Sequence, residues 1–296
     1  MAERHGSRKQ GTEFEGRALA RPDEELVDQG LGFDLGTLLN RRRMLGLLGL
    51  GAAGLGLAAC AGDDNPPSAS SSASASASTS SNEIPDETAG PYPGDGSNGP
   101  DVLEQSGIIR SDIRSSFGTA NGTAEGVPMT MELTISDLAK NAAPFAGAAV
   151  YVWHCDRDGA YSMYSEGVEK ENFLRGVQIA DDSGKVKFTS IFPGCYPGRW
   201  PHVHFEVYAT QADITDATKT IAISQLALPK DVCDKVYAQQ GYQRSLQTLA
   251  GITLETDLIF KEDKAAHQLA TVTGDATGYT AALTIGIDTR TTPTVF

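Results

Sequence analysis

The chain has 296 residues, with 38 Asp and Glu against 24 Lys and Arg, for a formal charge of −14. Residues 1–60 hold as many basic as acidic side chains, so the whole excess of acid lies in the remainder. So acidic a remainder repels phosphate backbones, which argues against nucleic acid as a partner; the length allows one large domain or two small ones.

The first organised stretch is an address. Residues 40–60 read NRRRMLGLLGLGAAGLGLAAC: three arginines, an uncharged apolar run from Met44 to Ala59, then Cys60. The run falls short of the roughly 20 residues a spanning helix needs and has the character of a signal-peptide core. The arginines resemble a twin-arginine export signal, and LAAC resembles a bacterial lipobox with Cys60 as the lipidated residue. Residues 1–60 are therefore expected to form a lipoprotein signal peptide. Residues 61–82, rich in Ser and Ala, have nothing to pack and read as a flexible tether. The expected destination is the outer face of a bacterial cell membrane, with the lipid anchor as the only membrane contact.

From residue 83 the texture changes to short β-patterned runs between Gly, Asp, Asn and Pro. VPMTMELTI (127–135) puts Val127, Met129, Met131, Leu133 and Ile135 on one face, the period of a half-buried strand. Similar runs span 147–154, 185–192, 201–208, 219–228, 252–260, 267–274 and 279–287. DDSG (181–184) reads as a turn. The helical candidate is 229–240, with Pro229 near its start. Many strands, no βα alternation and one or two short helices predict an all-β fold over 83–296. Its core is an antiparallel β-sandwich, and residues 83–126 form an irregular N-terminal arm.

Two of the five histidines lie one residue apart in GCYPGRWPHVHFEVY (194–208). On a strand, His202, His204, Glu206 and Tyr208 share one face and Val203, Phe205 and Val207 the other. The two imidazoles then project side by side, ~6–7 Å apart at Cα, close enough for one metal ion. Imidazole alone does not name the metal. Tyr196 and Arg199 lie just upstream among Pro-Gly turns, and WHCDRDGAY (153–161) brings Tyr161 onto a loop after another strand.

ETAGPY (87–92), VWHCDRDGAY (152–161), PGCYPGRWPHVHF (193–205) and SQLALP (224–229) occur in the order found in the intradiol ring-cleaving dioxygenases. The chain resembles that family, and within it the secreted bacterial branch. The resemblance implies a non-haem Fe(III) held by Tyr161, Tyr196, His202 and His204, with Tyr196 and His204 axial. It implies a catechol-type aromatic and O2 as substrates, and ring opening between the two hydroxyl-bearing carbons to a cis,cis-muconate-type diacid. Tyr196 would leave the metal when catechol binds and take one of its protons. Arg199 would stabilise negative charge developing on the ring, and Gln225 would lie near the substrate, although the insertion 209–219 lengthens the gap before it. Trp153 and Tyr92 are candidates for lining the pocket. Family members often pair subunits, which makes a homodimer possible.

Chemistry supports the donor set independently. A phenol with a pKa near 10 is held deprotonated at neutral pH only by a strongly Lewis-acidic ion such as Fe³⁺. Two readings compete with the enzyme. A transthyretin-like binding module would be favoured by the loss of any ligand, and none is lost. A zinc hydrolase would need better zinc ligands than two tyrosines. Besides Cys60, three cysteines remain. Cys155–Cys233 is the preferred disulfide, since Cys195 neighbours the metal site, with three reduced thiols as an alternative. Cys195 itself stands where many relatives carry another residue, often aromatic.

Overall fold

The computed structural model describes residues 82–293 and, upstream, the backbone of a two-residue ladder that pairs Glu13–Phe14 with Arg17–Ala18. Apart from that ladder and Asn82, the expected signal peptide, Cys60 and the tether lie outside the described residues. Among the described residues no helix is long and apolar enough to cross a membrane.

Alternation in the sequence becomes alternation in burial along β1 (Pro128–Asp137), where Met129, Met131, Leu133 and Ile135 are all buried. After it come β2 (Ala143–Pro144), β3 (Ala149–Trp153), β4 (Arg175–Ile179), β5 (Lys185–Ile191), β6 (His202–Tyr208) and β7 (Thr220–Ala227). Two short helices, α1 (Lys230–Tyr237) and α2 (Gln243–Leu249), precede the closing hairpin of β8 (Thr271–Asp275) and β9 (Gly278–Ile287).

The strands form two sheets. One runs β8-β9-β1, with β5 and the short β2 both pairing antiparallel with β1. The other runs β4-β3-β6-β7 and is antiparallel throughout. The fold is all-β, as expected, with one departure: β9 returns beside β1 in parallel, from Tyr279 opposite Met129 to Ile287 opposite Asp137. Between the sheets lies the main core, where Val150, Val152, Val203, Phe205 and Val207 meet Met131, Phe188, Ala281 and Ile285.

The second sheet is buried on its other face as well. There the arm supplies Val102, Leu103 and Ile108, which pack with Tyr151, Trp153, Val177 and Tyr208. The arm also ties down both edges of this sheet: Glu87 N donates to Ile223 O at 2.7 Å and Arg110 N to Val177 O at 3.0 Å. All seven residues of β6 are buried as a result.

Three local expectations need correction. Residues 252–260 form no strand; their backbone turns, with Asp257 Oδ1 accepting from Ile259 N at 2.8 Å and Phe260 N at 2.9 Å. The strand expected from residue 267 begins only at Thr271. Arg175–Ile179 is a strand that the sequence pattern did not suggest, because both its arginine and its glycine are buried.

Candidate metal centre

Strand β6 carries the histidines, and the ladder fixes their neighbours. His204 lies opposite Trp153 of β3 and Gln225 of β7. The Trp153 ring stacks on His204 with centroids 4.8 Å apart and planes at 6°, and Tyr151 backs Trp153 at 4.9 Å. His202 Nδ1 lies 2.5 Å from Trp200 O. A carbonyl only accepts, so Nδ1 carries the proton and Nε2 presents a lone pair. The two Nε2 atoms lie 3.0 Å apart, and Tyr196 Oη lies 3.2 Å from that of His202.

Tyr161 completes the group from the loop after β3. Asp156 Oδ1 shapes that loop by accepting from Asp158 N and Ala160 N, each at 2.9 Å. Gly159 is required where the two tyrosine loops cross: its φ is +88°, and a Cβ there would sit 3.1 Å from that of Tyr196. The Tyr161 ring meets Tyr196 edge-on at 5.6 Å and His204 at 6.3 Å. Its buried hydroxyl makes no hydrogen bond of normal geometry among the described residues. Buried Arg175 locks the arrangement from behind, donating to Ser162 Oγ and O at 3.1 and 2.9 Å and to Tyr92 O at 3.0 Å.

Burial sets the protonation of all four donors. It pushes the Tyr161 phenol well above its ordinary value, with Tyr196 adding to the rise. It lifts Tyr196 to about 12 against the opposing charge of Arg199. Burial, then the charge of Arg199, holds His202 and His204 well below the usual imidazole range. Neutral imidazoles are what a metal needs, whereas the phenols must lose protons to a strong cation. Among the described residues no group of three His, Cys, Asp or Glu could hold a metal, so ligation here depends on the tyrosines. Two phenol oxygens, one of them orphaned, and two imidazole nitrogens in one buried cluster fit a hard, highly charged ion such as Fe³⁺.

The other expected residues fall around this group. Arg199 Nη2 donates to Gln225 Oε1 at 2.5 Å, and Gln225 Nε2 donates to Thr88 O at 3.2 Å. Tyr92 is half-buried and packs on Tyr161 with centroids 4.8 Å apart. Trp153 is 0% exposed, so it supports His204 from behind and opens onto no solvent-facing wall. Of the four donor residues only Tyr196 keeps appreciable exposure. Gly90, with φ +75°, brings the arm against the histidine, since a Cβ there would lie 3.3 Å from His204 Cε1.

Two residues escaped the sequence reading. Asp257, 0% exposed, pairs with Arg199 Nε at 3.0 Å, and Phe260 faces the His202 ring at 6.3 Å. The preferred disulfide is not formed: Cys155, Cys195 and Cys233 are buried free thiols. Cys155 Sγ donates to Gly194 O at 3.6 Å and Cys195 Sγ to Arg199 O at 3.5 Å. Burial holds the Cys195 thiol up at about 12.

Residues 98–231, which include all four donors, Arg199 and Gln225, match a family model described as Dioxygenase. The chain is 35% identical over 66 residues to a chlorocatechol 1,2-dioxygenase of Rhodococcus opacus, covering 22% of this chain and 26% of that one. It is 31% identical over 78 residues to a hydroxyquinol 1,2-dioxygenase of a Rhizobium strain, covering 26% of each. These matches thus span about a quarter of the relatives' own length. The fold extends further: an intradiol ring-cleavage dioxygenase structure from Tetranychus urticae superposes with a TM-score of 0.56 at 23% identity, over 72% of this chain and 98% of that one. Through residues 98–231 and the sandwich built on them, the chain resembles the intradiol ring-cleaving dioxygenases.

Proposed function

We propose that the chain is a non-haem Fe(III) intradiol dioxygenase that opens a catechol-type ring with O2, giving a cis,cis-muconate-type diacid. The observation that carries this reading is the convergence of Tyr161, Tyr196, His202 and His204 on one buried point beside Arg199. Those four residues would hold the ion, and bound Fe³⁺ would supply the Lewis acidity that keeps both phenols ionised and activates a chelated catechol.

The remaining chemistry belongs to the chain. Tyr196, the donor residue that solvent reaches, marks the side of entry, and its Oη takes a proton from an entering catechol hydroxyl. The Arg199 guanidinium, 7% exposed, stabilises negative charge developing on the ring. Gln225 holds that guanidinium at Nη2. Trp200 O keeps the His202 ring turned so that Nε2 faces the centre. The arm and the turn at Phe260 exclude water, which strengthens every charge interaction inside. The names of the curated relatives point to catechols bearing chloro or hydroxyl substituents as the first substrates to try.

The N-terminal segment extends the proposal. Export by a twin-arginine route, lipidation at Cys60 and the 61–82 tether would hold the 83–296 domain at the outer face of the membrane, as a monomer or a homodimer. The order of arginines, apolar run and LAAC supports this, and Cys60→Ala is expected to move the protein from the membrane to the soluble fraction.

The direct test is the visible spectrum of the full chain loaded with ferric ion, before and after anaerobic addition of catechol. A tyrosinate-to-iron band that shifts with catechol, followed by diacid formation on admitting O2, is the expected result. A chain that stays colourless after loading would sink the reading.

A further inference from the structure

Asp257 lies on the loop between α2 and β8, beyond the stretch that matches the family model. It is 0% exposed, and burying a carboxylate is expensive unless every lone pair is used. Here they are used in two directions. Oδ1 binds its own loop through Ile259 N and Phe260 N, at 2.8 and 2.9 Å. Oδ2 binds the segment leading into β6, accepting from Arg199 Nε at 3.0 Å and from Trp200 N at 2.6 Å.

That second pair of bonds reaches the chemistry. Arg199 is gripped at Nε by Asp257 and at Nη2 by Gln225, so two elements on opposite sides fix the plane of its fork. Its Nη1 forms no hydrogen bond among the described residues. An arginine side chain is rich in rotamers, and stabilising a developing charge depends on a dipole or cation already in place. With Gln225 as its only partner, the guanidinium could rotate about that one bond. The same Oδ2 also holds the N–H of Trp200, whose carbonyl accepts from His202 Nδ1. Phe260, next to the turn that Asp257 caps, covers the guanidinium with Arg199 Cζ 5.8 Å from its ring.

We propose that Asp257 is the positioning residue for Arg199 in ring opening: a buried carboxylate, delivered by the loop after α2, that fixes the guanidinium in its working orientation. The proposal rests on the dioxygenase reading above. A buried ion pair that serves stability alone is the rival explanation, and the two differ in how mutations combine.

The experiment uses the full chain as wild type, Asp257→Asn, Arg199→Met and the double variant, each loaded with ferric ion and assayed on catechol. Asp257→Asn is expected to lower kcat about 10–100-fold, as loss of an orienting partner does, with KM moving less than about threefold. In the Arg199→Met background the same change is expected to cost nothing further, because the group it positions is gone. Thermal unfolding of the metal-free chain supplies a readout independent of turnover. Each single variant leaves a buried polar group unpaired and lowers Tm, while the double recovers only the part that belongs to Arg199, since Trp200 N still lacks its acceptor. If Asp257→Asn does not fold, Arg199→Met and the double still give the answer: equal kcat supports positioning, and a lower kcat in the double overturns it. An active wild type with an unchanged Asp257→Asn overturns the inference alone. A wild type that opens no catechol ring removes the dioxygenase reading and this inference with it.

Discussion

Strand β6 and the loop 250–270 meet on either side of the candidate centre, but they are held by different forces. β6 has a hydrogen-bonded neighbour on each edge and packing on both faces, so its seven residues are buried and its backbone is fixed from four directions. The loop has no ladder over most of its length. Its shape comes from carboxylates and hydroxyls that accept from nearby backbone, at Asp257, Asp263 and Thr256. Ligands for a metal need positions good to a fraction of an ångström, which a central strand supplies. A residue that adjusts a charge beside the metal can sit on a loop, provided its own bonds are complete. The difference assigns the two histidine donors to the strand and the tuning of Arg199 to this loop.

The largest effect should come from the strand. His204→Ala removes one of four donors and the ring on which Trp153 stacks. Loss of a Lewis-acid site is worth several kcal/mol in the transition state, about 10³-fold or more in rate. Turnover of catechol, and iron content measured on the purified chain, are expected to fall together. Iron retained at full occupancy would contradict the assignment of ligation to β6. On the loop, Phe260→Ala empties a fully buried site beside His202 and Arg199, and chemical unfolding is expected to show a loss of about 3–5 kcal/mol. Iron binding should survive it, because no donor is touched. A loop variant that lost iron as completely as His204→Ala would erase the distinction between the two regions.

The same contrast governs what could be read from the sequence. β1 and β6 were legible because alternation and burial agree along them, and the tyrosine and histidine positions were legible because turn residues and motif order surround them. The segment 252–260 alternates nearly as well, yet only Ile252, Asp257 and Phe260 are buried in it. Its pattern arises from a loop that meets the core at those three residues. The aspartate that should have excluded a strand is the residue that shapes the turn. β4 was missed for the opposite reason. Gly176 is there because the arm presses close, a Cβ at that position falling 2.5 Å from Ile113 Cγ2, and Arg175 is buried because the arm supplies its acceptors. Long-range contacts of this kind leave no local periodicity. The disulfide expectation failed similarly, since pairing depends on distances between loops that spacing along the chain does not encode.

Smaller effects test how closely the arm is fitted to the strand. Gly90→Ala places a methyl 3.3 Å from His204 Cε1 at a φ of +75°, where a side chain costs about 1–2 kcal/mol. A loss of stability of that size, read as a lower Tm, is expected, with a displaced catechol-dependent absorption band because the methyl pushes on the His204 ring. A drop in Tm with an unmoved band would mean that the arm yields and the strand does not.

The smallest effect concerns Glu87, half-buried on the arm near Arg199. Burial raises its carboxyl from 4.5 to about 8, opposed by the charge of Arg199 and reinforced by Asp263 and Asp257. Between those two pH values the folded chain keeps a proton that the unfolded chain has released, so stability declines as pH rises through the window. Above it the folded chain holds a second carboxylate, besides Asp257, near the Arg199 guanidinium. Glu87→Gln removes the titration, and Tm measured from pH 5 to 9 is expected to fall less steeply than in the wild type, with little change at the acid end. Part of the slope should remain in the variant, because Glu206 on β6 is raised to about 8 by its own burial and contributes the same sign of slope. If Glu87→Gln leaves the slope intact and Glu206→Gln abolishes it, the alkaline sensitivity belongs to the strand, and the arm merely covers it.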